Sequence, residues 1–159
     1  MLKDLCLLNG TSGREDAVRN YIIEKIKDKC EYSVDALGSV IAFKKGRKAP
    51  DKKVLVAAHT DEVGFIITDI TDDGYLRFAP VGGIDAAVVL GRRVDINGIK
   101  GVVGAKAVHL LSDDEKKNEP AFDKLAIDIG AADKAEAEKA VSLGDCAYFA
   151  SRSEERRVG

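Results

Sequence analysis

Cysteine and histidine are scarce in this chain, at three and two residues among 159. Cys6, Cys30 and Cys146 are odd in number, widely spaced, and form no Cys-x-x-Cys pair. That excludes a disulfide framework and a structural zinc or redox site of the paired-cysteine kind, and it suits reduced thiols in a cytoplasm. Long hydrophobic runs are missing as well: no stretch approaches the ~20 apolar residues of a membrane span. Met1-Leu2-Lys3-Asp4 introduces charge too early for the apolar region of a signal peptide. Neither sign of charge dominates, since 25 Lys and Arg face 27 Asp and Glu for a formal net charge of -2. No basic block is dense enough to hold a phosphate backbone by counterion release, so nucleic acid is not an expected partner. Gly82-Gly83 precedes no helix start carrying Lys and Ser or Thr, which makes it a turn rather than a phosphate loop.

What the chain does contain is enough apolar material to fold. Hydrophobic residues make up 45% and charged residues 33%, the profile of a globular chain that buries one core, or two small ones. Residues 1–8 suggest a short helix stopped by Asn9-Gly10. Ser12-Gly13-Arg14-Glu15 has the spacing of a capping box, followed by Val18, Tyr21, Ile22 and Ile26 at helical intervals. Residues 34–43 read as two short strands, or one bent strand, around Gly38, with a basic, proline-containing loop over 44–53. Val54-Leu55-Val56-Ala57-Ala58 is uniformly apolar, the pattern of a strand covered on both faces in the middle of an α/β sheet. It delivers His59 at its carboxyl end, where open α/β sheets place their ligands.

From Val63 onward the pattern changes to short β segments with closely spaced turns. Asp73-Gly74 and Asn97-Gly98 are hairpin signals, and Gly82, Gly83, Gly91, Gly101 and Gly104 add to a small barrel or sandwich inserted into the first domain. The mixed charges of 112–119 read as a solvated loop. Residues 125–129 read as a strand, 132–142 as a helix by intrinsic propensity, and 146–150 as a last strand, before a polar tail over 151–159. The domain boundaries expected are therefore 1–66, 67–145 and 146–159, the last a return strand and frayed tail.

His59-Thr60-Asp61 places an imidazole and a carboxylate two residues apart, on one side of the chain if the backbone is extended. A metal-bound histidine needs an acceptor on its other ring nitrogen, so His59 as ligand and Asp61 as the orienting group is one division of labour. From the spacing alone a structural, hydrogen-bonded histidine is the commoner outcome, since His-x-Asp recurs by chance. His109 stands far along the chain and reads as a polar contact or interface residue before a metal ligand.

Residues 54–65, Val-Leu-Val-Ala-Ala-His-Thr-Asp-Glu-Val-Gly-Phe, resemble the first metal-ligand segment of the dinuclear-metal aminopeptidases of the TET type, which include glutamyl and deblocking aminopeptidases and proteins named CelM or FrvX. The resemblance extends to Thr11-Ser12-Gly13-Arg14-Glu15, Val34-Asp35-Ala36-Leu37-Gly38, Asp73-Gly74-Tyr75-Leu76, Val81-Gly82-Gly83, Ile127-Asp128-Ile129-Gly130-Ala131 and Gly144-Asp145, in order over about 150 residues. It implies a partial α/β, zinc-peptidase-like catalytic domain interrupted by a β-rich, barrel-like dimerisation domain. It also implies peptide substrates, two divalent ions, zinc or cobalt, and homo-oligomers built from dimers up to dodecamers. By the same resemblance His59 is a metal ligand and Asp61 the carboxylate that steadies it, with Glu62 either supporting them or simply solvated at the mouth of the site. The bridging aspartate, the glutamate base, the remaining acidic ligand and the last histidine belong after the β-rich domain in that family. None is carried onto Glu154, Glu155 or any other residue here, so the expectation is that this chain by itself is inactive and holds metal weakly or not at all. The competing reading is a non-catalytic module for self-association.

Overall fold

The structure, a computed structural model, describes residues 1–48, 52–105 and 121–150. His109, the charge run at 112–119 and the tail at 151–159 lie outside the described residues. The chain divides into two compact units, Met1–Glu62 and the residues from Val63 onward.

The first unit opens with helices α1 (Leu2–Leu5) and α2 (Asp16–Ile26). The capping box expected at Ser12 does not form. Glu15 is the residue that precedes the helix, its side chain accepts from the Gly13 N–H at 2.8 Å, and the Ser12 hydroxyl is directed elsewhere. Strands β1 (Glu31–Val34) and β2 (Val40–Phe43) pair antiparallel, and the Asp35 carboxylate closes their turn by accepting from the Leu37 and Ser39 N–H groups. Residues 54–58 depart from expectation. They form no strand, and Val54, Leu55 and Val56 are 89%, 90% and 87% exposed. A strand buried on both faces needs ladder partners and covering layers, and no described residue pairs with this run.

The second unit is a closed six-stranded barrel, built from β3 (Gly64–Ile70), β4 (Leu76–Val81), β5 (Arg93–Ile96), β6 (Ile99–Ala105), β7 (Leu125–Asp128) and β8 (Cys146–Phe149) in the order β3-β4-β7-β6-β5-β8. Short helices α3 (Ala86–Val89) and α4 (Lys134–Ala140) lie between strands in the sequence. Closure leaves no open sheet edge, which removes the pairing hazard of exposed strands. Alternation sets the core: Phe65 and Ile67, Leu76 and Phe78, Val94 and Ile96, and Leu125 and Ile127 are all buried. On β3 the period slips at a bulge between Ile67 and Asp69, so Ile70 turns inward after an extra residue. Phe65 sits among three other rings, with centroids 5.0 Å from Phe78, 5.1 Å from Phe149 and 6.4 Å from Phe122.

The strand Cys146–Phe149 closes the barrel by pairing with both β3 and β5. It is not the return strand of the first domain that its position after the helix suggested. The pairings Phe65 with Ala147 on one side and Val94 with Phe149 on the other use both of its edges, so the barrel's sheet claims the strand. The division at Glu62 likewise falls before β3, which a boundary at residue 66 would cut in two.

Turn chemistry follows the sequence closely. Asn97 and Gly98 both have positive φ, 52° and 94°, as a primed two-residue turn requires. At Gly74, φ is +80° and an added Cβ would lie 2.9 Å from the carbonyl oxygens of Ala131 and Asp133. Gly74→Ala is therefore expected to destabilise the barrel by on the order of 1–3 kcal/mol, from left-handed strain plus the displaced carbonyls. A urea midpoint within error of the native chain would show that the turn yields at no cost.

Candidate functional site

His59, Asp61 and Ser12 meet in the first unit, although Ser12 and Asp61 are 49 positions apart. Their meeting is set by backbone. The Glu62 N–H donates to the Gly10 carbonyl at 2.7 Å, and Thr11 and Glu62 form a parallel bridge, so 10–12 runs beside 60–62. Gly10 is needed for that approach: a Cβ there would lie 2.8 Å from Val18 Cγ2 and 3.5 Å from the Thr60 carbonyl. Its role is close packing rather than the helix stop that Asn9-Gly10 suggested.

Within this frame His59 Nδ1 lies 3.0 Å from Asp61 Oδ1 and 3.0 Å from the Asp61 carbonyl oxygen. Both partners are acceptors only, so Nδ1 carries a proton, and in the neutral ring that leaves Nε2 with its lone pair. The Ser12 hydroxyl donates to the other carboxylate oxygen, Asp61 Oδ2, at 2.5 Å. That donation is the main reason the Asp61 carboxyl sits below its usual range; partial burial opposes it, and His59 adds to it. A lowered pKa keeps Asp61 ionised as pH falls toward the ordinary carboxylate value of ~3.9, so the acceptor for the imidazole is retained down to that range. The His59 side chain is 85% exposed and that of Asp61 40%. Glu62 is half-buried rather than solvated.

The arrangement is that of a histidine prepared as a donor. A fixed Nδ1–H and a bare Nε2 are what a metal-ligand imidazole requires, so His59 fits one position of a metal site. A full ligand set is another matter, since a catalytic zinc takes about three protein ligands. Among the described residues no group of three or more His, Cys, Asp or Glu side chains is placed to hold an ion. Sequence reasoning anticipated the His59 and Asp61 pair and missed Ser12, whose only local signal pointed to a helix cap.

The sequence pattern described as M42 glutamyl aminopeptidase matches residues 38–158, three quarters of the chain. The chain belongs to the M42 family. A curated relative from Acetivibrio thermocellus, named provisionally as an aminopeptidase, is 44% identical over 151 residues, covering 94% of this chain and 43% of its own length. The solved TET aminopeptidase from a marine-sediment Thaumarchaeota archaeon superposes with a TM-score of 0.85 at 38% identity, covering 93% of this chain and 43% of its own. The TET1 peptidase of Pyrococcus horikoshii, which assembles into a tetrahedron or a large octahedral shell, gives 0.79 at 41% identity, covering 94% and 45%. This M42 chain therefore spans a little under half the length of each. The α/β unit followed by a barrel is the architecture it shares with those TET structures. Among its described residues, no helix is long and apolar enough to cross a membrane.

Proposed function

We propose that this M42 chain is the N-terminal part of a metal-dependent aminopeptidase that removes N-terminal residues from peptides. The observation that carries the reading is the His59 imidazole, held by Asp61 with Nε2 bare, inside a chain 44% identical to an aminopeptidase-like relative. In the complete enzyme His59 is one ligand of a two-metal site and Asp61 the carboxylate that orients it. Bound there, two divalent ions, zinc or cobalt, supply an activated water and polarise the scissile carbonyl. His59 and Asp61 are one wall of that site; the other ligands and the general base belong to residues that the described chain does not contain. The barrel mediates self-association, as the tetrahedral assembly of the TET1 relative supports. Cys6, Cys30 and Cys146 form no disulfide among the described residues, which suits a reducing cytoplasm.

The test is a chimera in which this chain is followed by the unmatched remainder of the Acetivibrio relative. With added zinc or cobalt it is expected to release amino acids from unblocked peptides, while the 159-residue chain alone releases none. A well-folded, metal-loaded chimera without activity would overturn the reading. It would favour the alternative of a self-association module, which the tetrahedral assembly of the TET1 relative supports.

A further inference from the structure

We propose that Ser12 is a positioning residue for His59, acting through Asp61 to present the imidazole with Nδ1 protonated and Nε2 free; this rests on the reading of His59 as a metal ligand. Three features of the structure combine to carry it. The hydroxyl of Ser12 has its bond with Asp61 Oδ2 at 2.5 Å, which leaves Oδ1 for the ring at 3.0 Å. A carboxylate with one oxygen tied down cannot rotate about its terminal torsion without losing a bond, so the second oxygen stays in line with Nδ1.

Ser12 is itself held from both sides. The Arg14 N–H donates to the Thr11 carbonyl at 2.8 Å, so Ser12 occupies a tight turn whose next residue, Gly13, takes φ +83°. On the other side, the Thr11–Glu62 bridge and the bond from Glu62 N–H to the Gly10 carbonyl lock that turn beside the His59 loop. The hydroxyl is thus delivered by rigid backbone, not by a long side chain that must be ordered first. Its usual alternative role, capping α2, is already excluded, because Glu15 precedes the helix and the Ser12 oxygen faces Asp61.

A serine that merely stitched two loops together would leave the ring chemistry of His59 untouched when removed. A positioning serine would not. Ser12 is exposed, so Ser12→Ala is compatible with folding, and unchanged amide resonances of α2 and the β1–β2 hairpin, in the same unit, provide the check. The experiment is nitrogen-15 NMR of the His59 ring in the full 159-residue chain, metal-free, at a pH well above the ordinary imidazole value of ~6.5. In the native chain Nε2 is expected at the unprotonated position. In Ser12→Ala it is expected to shift part of the way toward the protonated position, since the Asp61 carbonyl still competes for Nδ1–H. Ser12→Thr, which keeps the hydroxyl, is expected to restore the native spectrum. An Nε2 resonance that does not move in Ser12→Ala, or that Ser12→Thr fails to restore, overturns the proposal. Because no metal or substrate enters this measurement, its outcome is independent of the chimera assay. An inactive chimera alongside a shifted ring would remove the aminopeptidase reading and leave the Ser12 geometry standing.

Discussion

Replacing His59 by alanine in the active chimera is expected to take amino-acid release down to that of the metal-free protein. The reason is the geometry of the donor. In the neutral ring Nε2 is the nitrogen with a lone pair, and among the described residues no group of three or more His, Cys, Asp or Glu side chains is placed to hold an ion without it. Asp61→Asn is the milder change. It keeps the shape of the side chain and an oxygen that can still accept from Nδ1, but it removes the charge that both Ser12 and His59 engage. Loss of such an outer carboxylate ordinarily costs ~10–100-fold in metal affinity or activity. Measured as kcat/KM with metal content determined in parallel, the two variants should rank in that order. A His59→Ala chimera that retains full metal and full activity would remove His59 from the site altogether, and the structural-histidine reading of the His-x-Asp spacing would then be correct.

Phe65→Ala should be the most damaging single change to the fold. Phe65 is fully buried on the first barrel strand, and its ring meets Phe78 and Phe149 nearly edge to face. Truncation there loses the transfer free energy of the ring and leaves a cavity walled by strands that closure prevents from collapsing, an expected cost of ~3–5 kcal/mol. For a unit of this size, each kcal/mol lowers Tm by roughly 4–8 °C. Chemical denaturation followed by far-ultraviolet circular dichroism would read the loss directly. A cost below ~1 kcal/mol would mean that the aromatic cluster is not the centre of the core. Tyr32→Ala on the hairpin of the first unit provides the contrast, since that side chain is exposed and should cost little.

The same contrast between units explains which features the sequence revealed. Where neighbours are close in sequence, the reading held. Asp73-Gly74 and Asn97-Gly98 sit in the turns that the sequence placed there, with positive φ at Gly74, Asn97 and Gly98. Even the cap of α4 was locally encoded, though it was not recognised. Asp133 accepts from the Glu136 N–H at 2.8 Å, while Glu136 reaches back to the Ala132 N–H. The identical spacing at Ser12 and Glu15 misled because Asp61 competes for the serine hydroxyl, and that competitor is invisible in a local window.

The sequence by itself determined the family, the turns and the β-rich character from Val63 onward, and it placed His59 within reach of Asp61, because each depends on contacts within a few residues or on an ordered series of short motifs. Only the tertiary structure decided that Ser12 completes that pair, that Cys146–Phe149 closes the barrel, and that Val54–Val56 stand exposed. All three depend on which distant segment lies alongside. Burial and hydrogen-bond choice are settled by that neighbour, and a side chain with two possible partners goes to the one the backbone brings within reach.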